Sequence, residues 1–316
     1  MIFSKLTSVW GNSPIEDISF PEAEILNEYT ARIPFQLVDH LIVVEAGLLN
    51  QTGKFIIDTG AETFILNSVH FSGPLKSQSD KSSGILGSVE TRGKRRLQEF
   101  ILKNFSIRNT TSDVIDLSHI EKQKKIKLLG IIGHSILKDH EVFVDLHLNQ
   151  ITLTKTDRYG NRLDPRGYLE TISDSVPFKL RKHTITLEAF VQDFPVTFGL
   201  DTGAEVNHLN KRLSRKLRKY FSVLEKTTLV GASGESTDVL AGNLFRVKLN
   251  DSIYFGPMRT LIANLGAMEA AFGVRLDGIL GYEFFAQKRT IINYQKEMLY
   301  FIDYPKIIKR EPDPPK

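Results

Sequence analysis

The chain has 316 residues, 41% hydrophobic and 25% charged, which gives enough apolar content for a sizeable core and enough length for two domains of common size. Its formal charge of +4 is a mild bias that by itself points to no nucleic-acid partner. There is no cysteine, so disulfides, thiolate nucleophiles and Cys-ligated metals are excluded.

In chain order, residues 1–32 read as an N-terminal extension with no counterpart later in the sequence. Met1 to Leu6 lacks the apolar run of a secretory signal, and no stretch approaches the roughly 18 apolar residues of a membrane span. A cytoplasmic protein is therefore expected if Met1 is the native start. Residues 41–46 and 55–58 are short apolar runs bounded by turn formers, the pattern of strands. Ser83-Gly84 predicts a hairpin turn. Residues 156–175, polar and carrying Gly160, Pro165 and Gly167, read as a linker between units at 33–155 and 176–304. The second unit opens with strands at 185–189 and 196–201. A helix is predicted from Asn210 as N-cap through Leu213, Leu217, Tyr220 and Phe221. Gly231-Ala232-Ser233-Gly234 predicts another hairpin, with shorter helices at 265–272 and 282–287. The tail, 305–316, ends Pro312-Asp313-Pro314-Pro315 and is expected to be loose.

These elements occur twice. Residues 33–67 align without a gap to 176–210 at an offset of 143 (201 − 58), matching Pro34 with Pro177, Phe35 with Phe178, His40 with His183 and Glu45 with Glu188. The block Asp58-Thr59-Gly60-Ala61-Glu62 recurs as Asp201-Thr202-Gly203-Ala204-Glu205. Further on, Leu128 to Gly133 matches Leu276 to Gly281 at an offset of 148 (281 − 133), so the length difference falls between the two motifs. The unit is a domain-sized half present twice, a duplication and not a solenoid.

One Asp-Thr-Gly arises by chance in a chain of this length about 5% of the time. Two copies at equivalent places, each ending an apolar strand, are far more specific. The plain alternative is a pair of strand-to-turn junctions, where Asp and Gly serve the backbone. Turn chemistry does not account for retention of all five residues.

A carboxylate ending a buried strand is costly unless hydrogen-bonded or paired. A pseudo-twofold arrangement of the halves brings Asp58 and Asp201 together, where they share one proton and titrate as a coupled pair. The charged member takes a proton from a water held between them, and the neutral member donates to the peptide carbonyl under attack. Thr59 and Thr202 hold the loops through their hydroxyls, while Gly60 and Gly203 allow close backbone approach.

The two Asp-Thr-Gly-Ala blocks, 58–61 and 201–204, resemble the aspartic peptidases, with alanine after glycine as in the retropepsin-like branch. Gly278-Ile279-Leu280-Gly281 followed by Phe284-Phe285 is similar to the segment that closes each lobe of that family and its pepsin-like relatives. Ile131-Ile132-Gly133 followed by Ile136-Leu137 is the first-half version. The resemblance spans roughly residues 33–153 and 176–303. It implies an all-β, bilobal fold with short helices and two pseudo-twofold-related retropepsin-like lobes. The implied activity is that of an aspartic-type endopeptidase, with Asp58 and Asp201 catalytic. The active-site loops would be supported by Thr59, Gly60, Ala61, Thr202, Gly203 and Ala204. It also implies β-hairpin flaps, best matched at Gly84, Ile85 and Leu86 and at Gly231, Ala232 and Ser233. The first of these has no tyrosine, unlike pepsin-like enzymes. His134 and Tyr282 follow the closing glycines where viral retropepsins carry arginine.

The expected substrate is extended polypeptide with apolar side chains near the cut, processed without metal or cofactor, and one chain suffices for the active site. The alternatives are a non-catalytic peptide- or protein-binding module on the same fold, and glycoside hydrolysis, which needs carboxyls roughly 5 Å or more apart. Eight histidines show no metal-ligand spacing, and His40 and His183 read as structural residues at strand starts. Residues 47–54 fail as a phosphate loop, because Phe55 replaces the hydroxyl residue. Basic runs at 94–96, 122–127 and 211–219 read as solvated faces, with an acidic partner or nucleic acid as the lesser reading.

Overall fold

Strands dominate the protein, joined by a few short helices. The computed structural model describes residues 22–71, 81–84, 87–102, 105–168, 170–213, 215–230 and 236–304. Strand formation follows the side-chain pattern. In Thr184–Val191, Ile185, Leu187, Ala189 and Val191 alternate inward while Glu188 and Phe190 face out. The strands leading to the repeated motif, Gln51–Ile57 and Phe194–Leu200, end in apolar residues buried on both faces, as central strands require. Among the described residues no helix is long and apolar enough to cross a membrane.

The described strands form three sheets. One is built from residues 36–132 and one from 179–280, and they share a local plan. In the first, Leu128–Ile132 lies between the strands flanking Asp58, parallel to Gln51–Ile57 and antiparallel to Phe64–Asn67. In the second, Gly278–Leu280 lies between Phe194–Leu200 and Asn207–Asn210 in the same senses. The closing apolar segment of each unit thus threads through the strand pair that carries its aspartate.

The third sheet has seven strands and draws on both units. Its order is Glu24–Ile25, Thr30–Pro34, Gln150–Lys155, His140–Asp145, Arg289–Asn293, Met298–Ile302 and Asp174–Pro177. At its centre Phe143 is the direct cross-strand partner of Ile291. These residues are equivalent under the 148-residue offset, so the register of this strand pair is symmetric about them. Thr30–Pro34 and Asp174–Pro177 occupy matching places towards the two edges, which brings the end of the N-terminal extension into the sheet. Arg289 fastens this sheet, its Nη2 donating to Asp145 Oδ2 at 2.6 Å and to Glu170 Oε1 at 2.5 Å.

One apolar core runs through both units, including Phe55, Phe100, Val142, Phe198, Ile292 and Phe301. Two smaller clusters mirror each other beside the motifs. One contains Ala61 and Ile131, the other their equivalents Ala204 and Ile279.

The expected helix from Asn210 is not formed. Asn210 ends a strand, its backbone N–H bound to Asp277 O and its side-chain Nδ2 to Leu276 O. Beyond it lie two 3-10 turns, Lys211–Leu213 and Arg218–Tyr220, before the strand Phe221–Val230. Leu213 and Leu217 are both buried, so the helical spacing marked a real apolar face on a broken backbone. Helices Gly266–Phe272 and Tyr282–Phe285 lie where expected. Their first-half equivalents, Ser118–Lys124 and His134–Leu137, were not legible in the sequence.

Candidate active site

Each motif aspartate begins a turn that leaves one strand and is pinned at both ends by the closing segment. Asp58 N–H donates to Ile132 O at 3.0 Å, and Ala61 O accepts from His134 N–H at 2.8 Å. In the second unit Asp201 N–H donates to Leu280 O at 2.9 Å, and Ala204 O accepts from Tyr282 N–H at 2.9 Å. Both loops therefore have the same geometry for the same local reason.

The two loops meet. Thr59 N–H donates to Thr202 Oγ1 at 3.0 Å, and Thr202 N–H donates to Thr59 Oγ1 at 3.0 Å. Thr202 Oγ1 then donates to Ile57 O at 2.9 Å, while Thr59 Oγ1 reaches Leu200 O at 3.5 Å. Gly60 lies against the opposite aspartate so closely that a Cβ there would stand 2.5 Å from Asp201 Cγ. Gly203 stands in the same relation to Asp58 Cγ, again at 2.5 Å. Only a residue without a side chain fits either place.

Asp58 and Asp201 are 0% and 3% exposed. Asp58 Oδ1 accepts from the Gly60 and Ala61 amides, each at 2.8 Å, and Asp201 Oδ1 accepts from the Gly203 amide at 2.8 Å. The other oxygens, Asp58 Oδ2 and Asp201 Oδ2, have no donor among the described residues. The carboxyls are close enough for the charge of one to act directly on the other. Burial, and next the charge of Asp58, push the Asp201 carboxyl well above the ordinary aspartate range.

Around the pair are groups that sequence reasoning did not assign to the site. Tyr294 is buried, its hydroxyl has no partner among the described residues, and burial followed by the charges of Asp58 and Asp201 pushes its pKa up, keeping the phenol neutral. Its ring meets that of His134 edge-on at 5.2 Å. His134 and His183 are both pushed down to about 4, chiefly by burial, so they are neutral near pH 7. His40 sits in a tight turn at φ 70°, bonds Glu205 O through Nδ1 at 3.2 Å and stacks on Tyr282 at 4.1 Å. The recurrence of His40 and His183 in the repeat was the available signal for their part in the contact between units. Lys124, within a run expected to be solvated, has a buried side chain instead. Nothing in the sequence marked it out.

The expected flaps are described in part. Lys81–Gly84 pairs antiparallel with Gly87–Leu102, Gly84 facing Gly87, and this strand runs beside helix Gly266–Phe272 of the other unit. Phe221–Val230 and Ser236–Leu244 form the matching hairpin. Its tip, with Gly231, Ala232 and Ser233, lies outside the described residues, as do Ile85 and Leu86. Among the described residues no three His, Asp or Glu side chains cluster to hold a metal ion. No protein-family model matches the chain, and no curated protein matches it in sequence.

Proposed function

We propose that the protein is an aspartic endopeptidase of bilobal fold, each lobe supplying one aspartate to a cleft at their junction. The observation that carries this reading is the interlocked pair of loops. Each glycine is packed against the other loop's carboxyl, each threonine amide bonds the other threonine's hydroxyl, and two buried carboxyl oxygens have no donor among the described residues. Such a pair holds one proton between two acids and has room in its chemistry for one water.

Asp201, raised by burial and by the charge of Asp58, holds the shared proton of the coupled pair. Asp58 takes a proton from the water as the water oxygen bonds the peptide carbon, and Asp201 donates its proton to the carbonyl oxygen. The tetrahedral diol then collapses. Its hydroxyl proton returns to Asp201, the proton held by Asp58 passes to the amine nitrogen, and the C–N bond breaks. The substrate is extended polypeptide lying across both units beneath the hairpins, with apolar side chains near the cut.

The test is cleavage of a mixed peptide library between about pH 3 and pH 7 by wild type, Asp58→Asn and Asp201→Asn, with and without a statine-type inhibitor. Activity lost in both variants and blocked by the inhibitor is the expected result. A well-folded wild type that cuts nothing across that range overturns the reading.

A further inference from the structure

The two catalytic loops have the same shape but are not held alike from outside. Glu62 and Glu205 close the repeated block, yet the Glu62 side chain is 68% exposed and that of Glu205 only 5%. Glu205 Oε1 lies 2.5 Å from Lys124 Nζ, and the same nitrogen is 3.0 Å from Asp39 Oδ2. Lys124, with a 1% exposed side chain, ends helix Ser118–Lys124, so the pair joins the first unit to the second unit's loop. His40, beside Asp39, holds the Glu205 carbonyl and stacks on Tyr282, whose own N–H holds Ala204 O.

The reverse grip has a different chemistry. Helix Gly266–Phe272 corresponds to Ser118–Lys124 at the 148-residue offset, and the sequence places Phe272 where the first unit has Lys124. Glu62 has instead a contact of 3.5 Å with His183 Nδ1. Among the described residues, one loop is therefore anchored by a buried cation and the other is not.

We propose that Lys124 is a positioning residue for Asp201, fixing the second catalytic loop from the first unit through Glu205. Burial holds the Glu205 carboxyl above its ordinary range against the pull of Lys124. Removing the lysine takes away the group that Glu205 and Asp39 close around and leaves the Glu205 side chain slack. The loop then loosens and water reaches Asp201. The groups facing Glu205 are Lys124, Asp39 and His40; those facing Asp201 are Asp58, the Gly203 amide and Tyr294. Loss of the Lys124 charge would by itself raise the Asp201 titration, so a lowered titration reads the loosened loop and not the missing charge. The effect is transmitted by position.

The kinetic part of this proposal rests on the peptidase reading; the titration part does not. The experiment uses the full chain with ¹³C-labelled aspartate carboxyls, the Asp201 signal assigned with Asp201→Asn, beside kcat, KM and melting temperature. Lys124→Met is expected to lower the Asp201 titration by about half a unit or more and to cut kcat by about 10- to 100-fold with KM nearly unchanged. Lys124→Arg is expected to recover part of both. The double variant Lys124→Met/Glu205→Met restores an apolar, stable contact, yet is expected to keep the shifted titration and low kcat. An Asp201 titration unchanged in Lys124→Met overturns the proposal. So does a double variant in which titration and kcat return with the melting temperature, since that is the behaviour of a purely structural pair. Should the wild type cleave nothing, the peptidase reading fails while the carboxyl titration still decides the role of Lys124.

Discussion

Replacing Gly60 by alanine adds one methyl group at the closest approach between the two units. Its Cβ would stand 2.5 Å from Asp201 Cγ and 2.6 Å from each carboxyl oxygen. Ordinary contact begins near 3.5 Å, so the overlap is about 1 Å with three atoms at once. Gly60 does not have positive φ, so backbone conformation adds no further penalty. Neither side yields easily, since the reciprocal threonine bonds fix both loops. Overpacking of this kind costs about 2 kcal/mol, or roughly 3 °C in melting temperature for a chain of this length. If the strain is relieved by moving the Asp201 carboxyl about 1 Å, kcat falls on the order of 100-fold. Thermal melting and peptide cleavage of Gly60→Ala measure the two outcomes, and Gly203→Ala is expected to behave alike from the other side. Gly47→Ala is the control, because its Cβ meets nothing closer than 3.9 Å. A Gly60→Ala protein with wild-type melting and wild-type kcat would refute the interlocked geometry.

Thr202→Val removes the acceptor of the Thr59 amide and the donor to Ile57 O, and is expected to cost about 1–3 kcal/mol in urea unfolding. Thr59→Val should cost less, because the bond its hydroxyl donates is 3.5 Å long; equal losses would contradict the asymmetry. The raised Asp201 carboxyl also has a linkage consequence. Between the unfolded value of about 3.9 and the higher folded value, the native state binds more protons than the unfolded chain. This carboxyl's contribution to stability therefore falls as pH rises through that window. Unfolding midpoints from about pH 4 to pH 8 should decline less steeply in Asp201→Asn than in wild type, and equal slopes would count against the buried, coupled pair.

Much of the site was legible because duplication preserves local pattern. The two five-residue blocks, the apolar strands before them and the closing segments each form structure from neighbours in sequence, so reading one half twice was enough to nominate Asp58 and Asp201. The helix expected from Asn210 shows the limit of that reasoning. Leu213 and Leu217 share a buried face as their spacing implies, but Asn210 is committed to Leu276 and Asp277, and those distant carbonyls end a strand there.

The sequence by itself determined that the halves are alike, that each carries an aspartate at the end of a buried strand, and that a glycine follows two residues later. Tertiary structure alone decided how the halves differ. Lys124 belongs to a run of basic residues that solvates well on any isolated helix, and it is buried because docking of the two units sets Glu205 and Asp39 around its nitrogen. Tyr294 of the second unit meets the His134 ring of the first by the same docking. Periodicity and propensity act over one or two turns of chain, whereas these contacts join residues far apart in sequence, and their energies depend on burial that exists only once both units have folded and met.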